Sequence, residues 1–169
     1  MMKFGGEECM TAEDFLSQNF QNKTVTTKTS GDFATHADWF QNVITENVVL
    51  CHTSALEILG MFNGFMDESK IDVYSLSKGQ YNNIHYHIVD TFDNIAIVEK
   101  FGVRCTTFEQ TINDMLNDIY NADEWALTEA LSDYYFTHNK SFNGLNILPE
   151  NQMAFENIMQ SAIEYYRGG

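Results

Sequence analysis

Val48-Val49-Leu50-Cys51-His52-Thr53-Ser54-Ala55-Leu56-Glu57-Ile58-Leu59-Gly60 changes its hydrophobic period within one short stretch. Three consecutive apolar residues read as a compact buried strand. Ser54 followed three residues later by Glu57 then spells a capping box, which predicts a helix with Ala55, Ile58 and Leu59 on one face and Gly60 as its stop. A strand running so abruptly into a helix ties the two kinds of element to one core, the signature of an α+β domain.

Downstream the period stays near two. Residues 71–76 alternate around Val73 and Ser75. Residues 84–89 alternate Ile84, Tyr86 and Ile88 against His85 and His87, and residues 95–99 and 102–105 supply two more short strands. The connections carry turn residues, namely Gly79, Asn82-Asn83 and Asp93-Asn94, and are short enough for an antiparallel meander. After Cys105 the pattern becomes helical. Thr106 with Glu109, or Thr107 with Gln110, caps a helix bearing Phe108, Ile112, Met115, Leu116 and Ile119. A second helix is predicted over 123–138, with Leu127, Ala130, Leu131 and Tyr134 inward. Pro149, the only proline, sits where a first helical turn tolerates it, ahead of a last helix burying Phe155, Ile158, Met159, Ala162 and Tyr166.

Upstream, Thr11 can cap a short segment carrying Phe15, Leu16 and Phe20. Residues 23–31 read as a loop or exposed strand, and a short helix from 32 or 35 to about 42 buries Phe33, Trp39 and Phe40. The expected architecture is one α+β domain. Residues 1–47 form a helical lead-in packed on or flanking a core of residues 48–169, in which a small antiparallel sheet of about four to five strands packs with about five helices and the C-terminal half is helical.

Composition narrows the function. Nine Lys and Arg against 24 Asp and Glu leave a net charge of -15 over 169 residues. The cations are scattered along the chain, so phosphate backbones and anionic lipid are repelled, and direct binding of nucleic acid or membrane is not expected. Three cysteines without a C-x-x-C pair point to reduced thiols, and the first ten residues lack the apolar run of a signal peptide, so a cytoplasmic location is expected. No oligomeric state follows.

No catalytic centre stands out. Phosphate loops, nucleophile elbows, H-E-x-x-H and dinucleotide fingerprints are absent from the sequence. His85 and His87 would share one strand face, but further ligands would have to come from His52, Cys51 or Cys105 by folding alone. The pair is therefore read as the solvated face of an amphipathic strand, and no cofactor or metal is expected. Cys51 and Cys105 read as small semi-buried hydrophobes. The acidic residues are more telling. From 107 to 166, Glu109, Asp114, Asp118, Asp123, Glu124, Glu129, Asp133, Glu150, Glu156 and Glu164 face the lone cation Lys140. Asp118, Asp123, Glu124, Glu129 and Asp133 are the candidate surface for a basic protein partner.

The stretch from Cys51 to Gly60 and Gln110-Thr111-Ile112-Asn113-Asp114-Met115-Leu116, with strands between them, resemble the core domain of the AbiEi-like antitoxins, a bacterial family tied to phage defence, abortive infection and mobile elements. Ile71-Asp72-Val73-Tyr74, the strand from Asn83 to Val89 and the segment from Gly102 to Thr107 are similar to the family's strand succession, so the likeness runs from about Val48 onward. In that family a winged-helix domain commonly precedes the core, represses the operon and works beside a nucleotidyltransferase-type toxin. Here fewer than fifty residues precede the match, with no Arg-rich recognition helix, and Gln110 stands where the wider family often has Arg. The resemblance therefore implies the interaction core, not the DNA reader. It assigns Ser54, Gly60, Thr111 and Asp114 structural roles as cap, helix stop and interhelical hydrogen bonds. The expected function is that of a non-enzymatic antitoxin-like or defence-associated protein working by protein–protein contact with a toxin. The alternative is an acidic phage or mobile-element inhibitor of anti-CRISPR type that blocks a basic nucleic-acid-binding surface.

Overall fold

The computed structural model describes residues 47–62, 71–79, 81 and 84–165. The expected helices and loop of residues 11–42, and Tyr166, lie outside the described residues. Within them the fold is α+β, with five strands and four α-helices: β1 (Val48–Leu50), α1 (His52–Ile58), β2 (Ile71–Ser75), β3 (Ile84–Ile88), β4 (Ile97–Lys100), β5 (Val103–Thr106), α2 (Phe108–Asn117), α3 (Glu124–Thr137), a 3-10 turn (Pro149–Asn151) and α4 (Gln152–Glu164).

The sheet order is β3-β2-β1-β5-β4, and the sheet is mixed, which corrects the antiparallel meander. β1 pairs antiparallel with β2, and β4 with β5, but β2 and β3 run parallel, as do β1 and β5. Alternation fixes which face a side chain takes and says nothing about strand direction. The connection from β2 to β3 spans only residues 76–83, shorter than the dozen or so residues a parallel crossover usually needs, so its length pointed to a hairpin.

Two apolar clusters flank α1. Ala55 and Ile58 join Val48, Leu50, Ile71, Val73, Ile84, Val103 and Cys105 on the sheet. Leu56 turns into the helical cluster of Ile112, Met115, Leu127, Leu131, Phe155 and Ile158. The helix is thus the wedge that joins both cores. It starts at His52, three residues earlier than a Ser54 cap allows: Cys51 occupies the N-cap without a side-chain capping bond, and Ser54 lies buried inside the helix. The Ser54 hydroxyl instead accepts the Asp72 amide at 3.0 Å, stitching α1 to β2. Gly60 does end the helix. Its φ is +74, its N–H bonds to Glu57 O, and the Met61 N–H bonds to Leu56 O, a Schellman motif.

Of the two caps predicted for α2, Thr107 is used, accepting the Gln110 amide at 3.3 Å. Asp123 caps α3 through the Ala126 amide at 3.1 Å. Pro149 opens the 3-10 turn, not the α-helix itself.

Candidate functional site

Period-two alternation sends Ile71, Val73 and Ser75 of β2 to the buried side and leaves Asp72 and Tyr74 on the other. The parallel register pairs Asp72 with His85 and Tyr74 with His87, so these four side chains share one face of two neighbouring strands. One carboxylate oxygen organises them. Asp72 Oδ1 lies 3.1 Å from His85 Nδ1 and 2.9 Å from His87 Nε2. A carboxylate can only accept here, so both of those ring nitrogens carry the proton.

A third imidazole joins from α1. His52 stacks on His87 with ring centroids 4.3 Å apart and 13° between planes, while the His85 ring lies tilted with its centroid 4.2 Å from that of His87. His52 holds a φ of +50, a left-handed conformation that costs a non-glycine residue roughly 1–2 kcal/mol. Burial, then the neighbouring His87, pulls its pKa down to about 4, against the opposing pull of Asp72, so the ring is neutral at physiological pH. Its Nδ1 lies 3.1 Å from Cys51 Sγ. Burial raises the Cys51 thiol well above its usual range, with Asp72 and Asp114 adding to the rise. The sulfur is therefore a protonated thiol donating to His52, not a thiolate nucleophile. Cys105, at the end of β5, is buried too and pushed up to about 11.

Two groups of potential ligand atoms result, each with its atoms within 4.8 Å of one another: Asp72, His85 and His87, and Cys51, His52 and His87. The sequence predicts a solvated face for both His85 and His87. His85 is indeed exposed, but His87 is packed against His52 and Asp72, while Ile88, expected inward, is 55% exposed on this edge strand. The spacing of His85 and His87 was a visible signal. The strand order that brings β1's end and β2 against them was not.

The residues that the resemblance singled out on α2 are held by local hydrogen bonds. The Thr111 hydroxyl donates to Thr107 O at 2.7 Å and meets Thr106 Oγ1 at 2.6 Å. Asp114 Oδ1 accepts Gln110 Nε2 at 2.8 Å, so Gln110 serves its own helix. Among the described residues, neither Thr111 nor Asp114 shows the interhelical bond the resemblance assigned to it. Among the described residues Asp114 Oδ2 is buried with no hydrogen-bond partner, while the Tyr74 hydroxyl interacts with the carboxylate. Burial raises the Asp114 pKa, opposed by Gln110 and Tyr74. Tyr74 is raised in turn by burial and by Asp114.

The candidate partner residues divide. Asp118 and Glu124 are exposed, and Asp118 accepts Asn121 Nδ2 at 2.7 Å. Asp123 is exposed but engaged as the α3 cap, and Asp133 is half-buried. Glu129 is only 8% exposed, on the inner side of α3, so it does not belong to a contact surface. A groove of about 530 Å³ opens instead between the first turns of α3 and the end of α4, lined by Glu124, Trp125, Thr128, Ser161, Glu164 and Tyr165. Trp125 and Glu164 were not singled out in the sequence, because a tryptophan in a helix's first turn reads equally well as core.

No helix among the described residues is long and apolar enough to cross a membrane. No protein-family model matches the chain, and no curated protein matches it.

Proposed function

We propose that the chain is a non-enzymatic, antitoxin-like or defence-associated protein that binds a basic surface of a cognate toxin through the α3–α4 groove. The observation that carries this reading is the groove's composition: carboxylates Glu124 and Glu164 frame Trp125, whose side chain stands 75% exposed. An accessible aromatic anchor between like charges is the kind of surface that supplies most of an interface's energy while its rim selects partners of opposite charge. Lys140, the one Lys or Arg among the described residues from 107 onward, sits past the opposite end of α3. The buried, protonated Cys51 thiol supports the non-enzymatic part of the reading. The resemblance to the AbiEi-like core supports a toxin as the class of partner.

The test is the affinity of the purified chain for the toxin encoded beside it, measured at low and high salt. Trp125→Ala weakens binding by about tenfold or more, the loss of a hot-spot aromatic. Glu124→Lys with Glu164→Lys weakens it further and flattens its salt dependence. Unchanged affinity in both variants, or tight binding of the wild-type chain to its own operator duplex, overturns the proposal.

A further inference from the structure

We propose that Asp72, His85 and His87 form a binding site for a divalent first-row transition ion, with zinc as the ion whose ligand preferences fit best. Two nitrogens and one oxygen suit zinc-type ions, whereas magnesium and calcium prefer all-oxygen sites. Around a tetrahedral zinc, with bonds of about 2.0–2.2 Å, ligand atoms stand roughly 3.3 Å apart. The Asp72 oxygen already lies 3.1 Å and 2.9 Å from the two imidazole nitrogens, so the ion needs an expansion of only a few tenths of an ångström along those edges. The remaining adjustment falls on His85, whose side chain is 70% exposed and free to turn, while Asp72 and His87 are 19% and 21% exposed and held. Binding shifts the ring protons to His85 Nε2 and His87 Nδ1, with no net change in protonation. The fourth position stays open to water on the exposed side. His52, stacked on His87, restricts the tilt of that ring. The ion braces β3, an edge strand, against β2. None of this depends on the acidic groove, and either proposal can fail alone.

Calorimetric titration of the full chain with zinc, with magnesium as control, tests it. One equivalent of zinc binds with micromolar or tighter affinity, magnesium does not, and the bound ion raises the melting temperature. His85→Ala, an exposed change that leaves the fold intact, weakens zinc binding about a hundredfold. His138→Ala, at the far end of α3, leaves it unchanged. Cobalt bound to the wild-type chain gives the visible spectrum of a nitrogen- and oxygen-ligated ion. Failure to bind zinc, equal affinity in His85→Ala, or a thiolate-to-cobalt band that moves the ion to Cys51 each overturns the assignment.

Discussion

At Gly60 the backbone sits at φ +74 with open space where a Cβ would go, so only the conformation, not a clash, resists substitution. Gly60→Ala is expected to destabilise the fold by about 1 kcal/mol, the cost of a left-handed L-residue. The urea midpoint falls while the slope of the transition stays the same. Asp114 acts in the opposite sense. Its folded pKa is raised by burial, so between the unfolded value and that raised value the folded chain binds the extra proton, and stability falls as pH rises through this window. Asp114→Asn removes the charge and keeps an acceptor for Gln110. It should stabilise the fold by about 1 kcal/mol at neutral pH, and the gain should vanish in acid. Urea denaturation of both chains from pH 4 to 7 measures this; a gain independent of pH would rule out a buried charge as its cause. Ser54 marks the limit of reading at this scale. The Ser-x-x-Glu pattern was present, but the Asp72 amide from a strand distant in sequence claimed the hydroxyl.

Among the elements, buried asparagines hold the C-terminal half in place. Asn113 of α2 donates to Glu109 O at 3.0 Å and Asn146 O at 2.9 Å, and accepts the Leu148 amide at 2.9 Å and Asn151 Nδ2 at 3.0 Å. Asn113→Ala strands several buried groups at once and should cost about 3 kcal/mol, seen as a lower melting temperature with the loop before α4 exchanging its amides faster. The helices themselves were legible, since caps such as Thr107 and Asp123 and the apolar stripe through Ile112, Met115 and Leu116 are local signals. Strand direction was not. The hairpin from β4 to β5 turns through Phe101 and Gly102, both at positive φ, without the Asn-Gly or Asp-Gly pair that usually announces such a turn. The parallel pairing of β2 with β3 depends on contacts outside either strand. That pairing alone brings His85 opposite Asp72, which is why a two-histidine motif visible in the sequence became a cluster only in the fold.

Over the whole molecule, charge is the property that sequence and structure treat most alike. The surplus of carboxylates is a sum over residues and needs no fold to be seen. Its distribution does need one: Glu129 is withdrawn into the interior, while Glu124 and Glu164, far apart in the chain, line one groove with Trp125. On the proposed reading such a surface is expected to repel polynucleotides, so the chain should leave random-sequence duplex DNA unshifted in an electrophoretic assay even at low salt. The most direct test of this account is rescue of bacterial growth from the proposed cognate toxin, comparing the wild type with a folded Trp125→Ala, Glu124→Lys, Glu164→Lys variant. Rescue by the wild type and its loss in the variant is the expected result. Rescue that survives all three substitutions would contradict the account.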